Sequence, residues 1–187
     1  MNRRINNHIE QLEHTIIVAG LNYDIWWGYK NKFRKQLLNA AYHYPMFFQT
    51  SLHAHFVALI MALYRLFENR RDTVNFYSIQ ALLKQTPKFG DRDLKNINKR
   101  IDRLKPIWVK IGILRNKAFG HTSNNFDMNP WKQASISANE IKKLIKESQK
   151  LLNHISQKWD RNTFAFNLSA TSDTRQLLQD IEKVRKP

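Results

Sequence analysis

The residues of this chain best suited to chemistry lie in one segment that runs from Arg115 to His121, with Asn116 beside the arginine. Arginine stays protonated and presents a planar fork of donors, so Arg115 can bind a phosphodiester and stabilise its more negative transition state. Histidine titrates near neutral pH, so His121 can remove a proton from a ribose 2′-hydroxyl or return one to a leaving 5′-oxygen. The amide of Asn116 can orient the phosphate or the imidazole. The segment therefore indicates metal-free cleavage of RNA.

A purely structural explanation of the same segment stays open. Arg115 near a helix C-terminus interacts favourably with the helix dipole, whatever else it does. Gly120 is suited to end the helix in the left-handed conformation, and His121 after it can bond the last carbonyl groups. The spacing by itself does not choose between a catalytic and a capping role.

The elements that must position this segment are predicted to be helices. Apolar residues repeat at intervals of three and four along most of the chain, and glycine and proline number only five each. In residues 5–41 a break is expected near Gly20, because glycine weakens a helix interior by about 1 kcal/mol. Proline suits the first turn of a helix, so a second helix is expected from Pro45 to about Glu68, as the central helix of the core. The predicted fold class is all-α.

The helix that carries the site is expected to have Asp91 as its cap. Its apolar positions repeat as far as Ile111 and Ala118, and Arg115 occupies the slot between those two. Pro106 lies inside the pattern and predicts a kink or a restart, because proline removes a backbone donor.

Turn-forming residues follow the site and predict a loop over residues 121–136. Ser137 and Glu140 then form a capping-box pattern that opens an amphipathic helix through about Trp159. A last short helix is expected over about residues 172–186, and it either packs loosely or serves a partner.

Positive charge is the main compositional signal. The chain has 31 Lys and Arg against 15 Asp and Glu, a net charge of +16 that favours polyanions such as nucleic acid. A basic stripe at intervals of four crosses the capping-box helix, and its alternative is an ordinary solvated face. Two aromatic residues of the loop, Phe126 and Trp131, can either stack on bases or anchor the loop on the core. The residues predicted to bind RNA are Lys117, Lys110, Arg103, Lys142, Lys146 and Lys150.

Several kinds of site are excluded or unsupported. The chain contains no cysteine, which removes disulfides and thiolate chemistry and is typical of a reducing compartment. His53 and His55 are about 200° apart around a helix, which is wrong for a shared metal ion. No metal and no cofactor is therefore predicted. The apolar run from Phe56 to Tyr64 is too short to span a bilayer, so a soluble, cytoplasmic protein without a membrane partner is expected.

Two further motifs support a family resemblance. The arginine, polar residue and histidine pattern of Arg115 to His121 occurs together with Tyr64–Glu68, which reads Tyr-Arg-Leu-Phe-Glu, and Ser78–Leu83, which reads Ser-Ile-Gln-Ala-Leu-Leu. This combination resembles the abortive-infection, AbiU-like branch of the HEPN superfamily over about residues 45–160.

The resemblance implies a single domain over residues 1–187. Its HEPN-like bundle of long antiparallel helices has an N-terminal helical extension at 3–43 and a C-terminal helix. It also implies a homodimer in which Arg115 and His121 of both copies line one cleft, as a metal-independent ribonuclease of a defence or toxin-antitoxin kind. An antitoxin or regulatory protein would be a further partner. The alternatives are a non-catalytic RNA-binding or regulatory module and a structural interaction protein.

Overall fold

The computed structural model describes residues 1–70, 72–116 and 130–184, and within these ranges the chain forms helices and no β-strand. The predicted all-α fold class is confirmed. In chain order the elements are α1 (Asn2–Trp27), a π-helical segment (Gly28–Lys32), α2 (Arg34–His43), α3 (Pro45–Phe67), α4 (Phe76–Leu83), α5 (Asp91–Leu114), α6 (Pro130–Ala134), α7 (Ala138–Asp160) and α8 (Thr171–Val184).

The long helices α1, α3, α5 and α7 surround the main core, and α7 runs antiparallel to α1. At one end the Trp159 Nε1 group donates to the Asn6 Oδ1 atom at 2.7 Å. At the other end the Tyr23 hydroxyl donates to the Ala138 carbonyl at 3.3 Å. Because the early residues of α1 meet the late residues of α7, and the reverse, the two helices run in opposite directions.

An ion pair near each end likewise ties α5 to α7. The Lys110 ammonium lies 2.6 Å from the Glu140 carboxylate, and the Lys158 ammonium lies 2.5 Å from the Asp93 carboxylate. The residue numbers rise along α5 as they fall along α7, so these helices are also antiparallel. The part of α5 between the two ion pairs therefore lies beside α7 along its length.

The break after the first helix lies at Gly28, and the expected break near Gly20 was wrong. Helix α1 continues through Gly20, and the chain then enters the π-helical segment, in which the Phe33 N–H donates to the Gly28 carbonyl at 2.8 Å. A Cβ atom on Gly28 would lie 3.2 Å from the Phe33 ring, tighter than ordinary contact. The Phe33 ring thus lies close to the backbone at Gly28, where the α-helix gives way to the π-helical segment. Hydrophobic periodicity does not reveal a contact of this kind.

Gly20→Ala is expected to raise the free energy of unfolding by about 0.5–1 kcal/mol, because alanine loses less backbone entropy in a helix interior. A Cβ atom there meets nothing within 4 Å, so no clash offsets this gain. Urea unfolding measures the change. The control is Gly28→Ala, whose Cβ crowds Phe33 and should bring no gain. A less stable Gly20→Ala variant would contradict the expectation.

Two further boundaries of the predicted elements need correction. Helix α5 runs through Pro106, so the restart expected there is absent and only the alternative of a kink stays a prediction. Pro106 lies on the exposed face, where water can bond the carbonyl left unpaired. Residues 130–134, expected to belong to a loop, form the short helix α6, which has proline at its first position. The predicted capping box is confirmed, because the Glu140 N–H donates to Ser137 Oγ and the Ser137 N–H to Glu140 Oε2.

Helix α3 supplies the centre of the core, as predicted. It is also the one described helix that is long and apolar enough to cross a membrane, with a mean hydropathy of 1.5 over an 18-residue window. The run from Phe56 to Tyr64 is thus part of a longer apolar helix. Only 33% of that window is buried, and the buried residues lie mainly in its C-terminal half. The N-terminal half of α3 therefore leaves apolar surface uncovered.

A smaller apolar cluster joins α2, α8 and the start of α3. Tyr29, Phe33, Phe48 and Leu178 are buried in it, and the Tyr29 and Phe48 rings meet edge to face at 6.0 Å between centroids. Helix α8 therefore packs on the body of the protein through Leu178, which has no exposed surface.

Candidate functional site

Arg115 lies directly after the last residue of α5, and its backbone still has helical geometry, with φ −57° and ψ −47°. The side chain is half-buried, and its Nη1 group donates to the Oδ1 atom of Asn116 at 2.8 Å. The guanidinium lies over the Tyr64 ring, 4.9 Å from the centroid. A cation above an aromatic face is attracted by the ring quadrupole, so Tyr64 holds Arg115 in place without neutralising its charge.

Tyr64 is itself fixed by a second aromatic residue. Its ring stacks on Trp108 with 5.6 Å between centroids and 25° between planes, and the Trp108 Nε1 group donates to the Tyr64 carbonyl at 3.1 Å. Trp108 and Arg115 are seven residues apart, about two helical turns, so they project from the same side of α5. The platform therefore joins α3 to α5 underneath the arginine.

The buried seam of α5 does not include Arg115. It follows Leu104, Ile107, Ile111 and Leu114, all buried, whereas Arg115 lies on the neighbouring half-exposed flank. The prediction that Arg115 occupies a position of the apolar face was therefore wrong by one residue, because Leu114 occupies that position. A helix has 3.6 residues per turn, so a three-four repeat shifts gradually around it. The platform of Tyr64 and Trp108 was not foreseen, although the motif Tyr64–Glu68 contains its first member.

Of the other predicted catalytic residues, Asn116 is exposed and bonded to Arg115. His121 lies outside the described residues, as does Lys117 of the RNA-binding set. That Arg115 and His121 line one cleft therefore stays a prediction. What the described residues establish is that the Arg115 side chain is held at the end of α5 by Tyr64 and Asn116.

Comparison with known protein families identifies the family of this chain. The sequence profile of the HEPN family AbiU2 matches residues 4–178. The chain belongs to the AbiU2 family. No curated protein and no solved structure matches the chain. Family membership makes this chain an abortive-infection-related HEPN module and confirms the resemblance inferred from Arg115 and the two accompanying motifs.

In the AbiU2 chain, Lys110 is engaged within the protein. Its ammonium donates to the Ser135 carbonyl at 2.9 Å and to Glu140 Oε1 at 2.6 Å. These bonds tie α5 to the start of α7 and to the segment after α6. Lys110 therefore has a clear structural role, and its predicted contact with RNA stays untested.

Glu140→Gln is expected to lower the free energy of unfolding at neutral pH by about 0.5–1 kcal/mol, because the ion pair is partly exposed and screened. Hydrogen bonds from Lys110, and then from the Ser137 backbone, lower the pKa of Glu140 below its ordinary value of 4.5. A lowered folded-state pKa stabilises the protein above the unfolded value, and this stabilisation is lost as the pH falls through the folded value.

Urea unfolding of wild type and Glu140→Gln over the acid range measures this effect. The two proteins should converge in stability as the carboxylate becomes protonated. A difference that persists unchanged in strong acid would mean that the variant perturbs packing and not the ion pair.

The remaining predicted RNA contacts lie on α5 and α7. Arg103, Lys142 and Lys146 are exposed, and no ion pair joins any of them to another described residue. Lys150 is exposed and lies 2.7 Å from the Glu147 carboxylate. The structure therefore leaves three of these cations with their charge uncompensated among the described residues.

A groove of about 590 Å³ lies between α5 and α7, toward the end of the pair that is distant from Arg115. Arg100 and His154 are among the residues that line it. Among the described residues, the buried Nε2 atom of His154 has no hydrogen-bond partner. Burial, and then the nearby Arg100, lower the pKa of His154. Its charged form is therefore disfavoured at this position.

The remaining candidate side chains have internal contacts. The His55 Nδ1 and Asn22 Oδ1 atoms are 2.9 Å apart, and burial lowers the pKa of His55. The Trp131 ring packs on Phe56 at 4.9 Å, so it anchors the segment around α6 on the core while remaining half-exposed. Phe126 lies outside the described residues. Over the ranges described, no group of three or more His, Asp or Glu side chains is placed to hold a metal ion.

Proposed function

We propose that this AbiU2-family chain is a metal-independent endoribonuclease of a bacterial defence or toxin-antitoxin kind. Arg115 carries the proposal. It is a permanent cation at the end of a helix, half-exposed, held over Tyr64, and joined by no ion pair to any described carboxylate. An arginine fixed by an aromatic ring and an amide keeps most of its donors for a phosphate.

In the proposed reaction the ribose 2′-oxygen attacks the adjacent phosphorus, and the 5′-oxygen leaves. One His121 accepts the 2′-hydroxyl proton as the new P–O bond forms, and a second His121 donates a proton to the departing 5′-oxygen. The products are a 2′,3′-cyclic phosphate and a free 5′-hydroxyl. Arg115 stabilises the extra negative charge of the phosphorane. Because one imidazole cannot easily serve both steps, the proposed site joins two copies of the chain.

The test is incubation of purified protein with mixed RNA in EDTA, beside Arg115→Ala and His121→Ala variants. Cleavage by wild type that both variants lose, with cyclic phosphate ends on the products, supports the proposal. Equal background in all three proteins rules it out. Light scattering at micromolar concentration tests the two-copy site separately, because a monomer would remove it.

A second candidate function is a non-catalytic RNA-binding or regulatory module. The observation that favours it is the set of exposed cations on α5 and α7 without ion pairs among the described residues, namely Arg103, Lys142 and Lys146. Such a module would bind RNA with a steep dependence on salt concentration and cut nothing. Binding measured at several salt concentrations, beside the cleavage assay, distinguishes the two functions.

A further inference from the structure

The corner between α2 and α3 presents an unusual concentration of exposed apolar side chains. Of the eleven large hydrophobic residues that are exposed in the described part of the chain, five lie within residues 38–47. Large apolar patches on a protein surface mark sites of interaction, whereas scattered single residues do not. We call these five residues the apolar corner: Leu38 (60% exposed), Tyr42 (82%), Tyr44 (53%), Met46 (72%) and Phe47 (63%).

The apolar corner is well anchored. Tyr44 alone joins α2 to α3, so the two helices meet in a sharp bend. The Phe47 ring contacts Phe48 edge to face at 5.3 Å, and Phe48 is buried in the small cluster with Tyr29. The exposed side chains therefore project from a backbone that the smaller apolar cluster holds in place.

The charge around the apolar corner has one sign along the chain. From Ile25 to Phe67 the sequence contains no Asp or Glu, while Lys30, Lys32, Arg34, Lys35 and Arg65 all fall in this stretch. Lys35, Leu38 and Tyr42 are spaced by three and four residues, so they share one face of α2. Lys30 and Lys35 are both exposed. From α8, which carries charges of both signs, Arg175 lies over the Phe33 ring at the base of α2.

We propose that the apolar corner docks on a membrane surface that carries anionic lipids, in contrast to the sequence-based expectation of no membrane partner. Tyrosine is enriched at the interface between headgroups and acyl chains, where apolar residues insert shallowly and lysine ammonium groups stay at the level of the phosphates. Each lysine near an anionic surface adds attraction that salt weakens. Met46 and Phe47 lie in the N-terminal half of α3, which is largely uncovered, so the apolar corner continues onto that helix.

The same observations disfavour the other occupants. A second copy related by a twofold axis would bring two surfaces of the same positive charge together, and residues 25–67 have no carboxylate to offset Lys30 and Lys35. RNA bases would stack on the tyrosines and on Phe47, but Leu38 and Met46 have no ring to offer. Side chains this exposed protrude, and a fluid lipid interface accommodates protruding groups without a preformed pocket.

The test uses the full chain and unilamellar vesicles of phosphatidylcholine, with or without roughly one-third phosphatidylglycerol, in sedimentation assays at about 0.15 M salt. The corner variant is Leu38→Ser, Tyr42→Ser, Met46→Ser and Phe47→Ser, which leaves the net charge unchanged. We expect it to lower partitioning into anionic vesicles at least about tenfold. The matched control, Val109→Ser with Leu168→Ser, removes exposed apolar residues elsewhere and should partition like wild type.

Two further variants separate lipid insertion from its alternatives. Tyr42→Leu with Phe47→Leu keeps apolar side chains without rings and should retain vesicle binding, as an inserting surface requires. Lys30→Gln with Lys35→Gln should weaken binding only to the anionic vesicles. Equal partitioning of wild type and corner variant overturns the proposal. A wild-type dimer that becomes a monomer in the corner variant, measured by light scattering, would also overturn the proposal, because the apolar corner would then be a protein interface. The same holds if wild type binds no vesicles and the leucine variant loses affinity for RNA.

Discussion

Replacing Arg115 with alanine is expected to lower the rate of RNA cleavage by at least about a hundredfold. Loss of one charged donor that stabilises a developing negative charge costs about two to three orders of magnitude in rate. The effect should fall on the rate of the chemical step more than on RNA affinity, because the exposed cations Arg103, Lys142 and Lys146 would remain to bind the RNA backbone under the proposed function. Single-turnover cleavage with saturating protein measures that rate, and filter binding measures affinity.

Arg115→Lys is the matched control, and we expect it to restore little activity. Lysine keeps the charge but lacks the planar fork of donors that can bind two phosphate oxygens while lying over the Tyr64 ring. Tyr64→Phe, which keeps a ring beneath the guanidinium, should stay near wild type, whereas Tyr64→Leu should lose part of the rate. Full activity of Arg115→Lys would mean that charge alone matters at this position, and the platform would then have no role in catalysis.

Phe67→Ala is expected to lower the free energy of unfolding by about 3–5 kcal/mol, the usual cost of truncating a buried aromatic residue. The Phe67 side chain is 1% exposed, and its ring lies 5.1 Å from that of Phe76, which is fully buried. This contact joins the end of α3 to the start of α4. The cavity left by alanine would therefore weaken both helices at their junction.

Urea unfolding with an unchanged m-value checks this prediction. Phe67→Leu should cost less, because it keeps apolar volume in the same place. Val109→Ala, on the exposed face of α5, should change stability by no more than about 0.5 kcal/mol. A Phe67→Ala variant as stable as wild type would mean that the core collapses onto the vacated space.

Helical periodicity, capping residues and proline positions established much of the fold in advance. The start of α3 at Pro45 and the capping box of Ser137 and Glu140 depend on neighbours within one turn, whereas α5 is capped by Gly90 and not by the predicted Asp91. Local interactions of this kind can be deduced from adjacent residue types. The type and order of residues from Arg115 to His121 likewise indicated the family, which the match over residues 4–178 confirms.

Only the tertiary structure revealed which residues surround Arg115. Tyr64 is far from Arg115 in the sequence, and the two meet because Trp108 holds Tyr64 between α3 and α5. The break at Gly28 in place of Gly20 also depends on a contact, the approach of the Phe33 ring to the backbone. The amino-acid sequence thus determined the helices and the chemistry that Arg115 can perform. The packing of helices distant in sequence decided what holds that residue, because no local pattern records which faces meet.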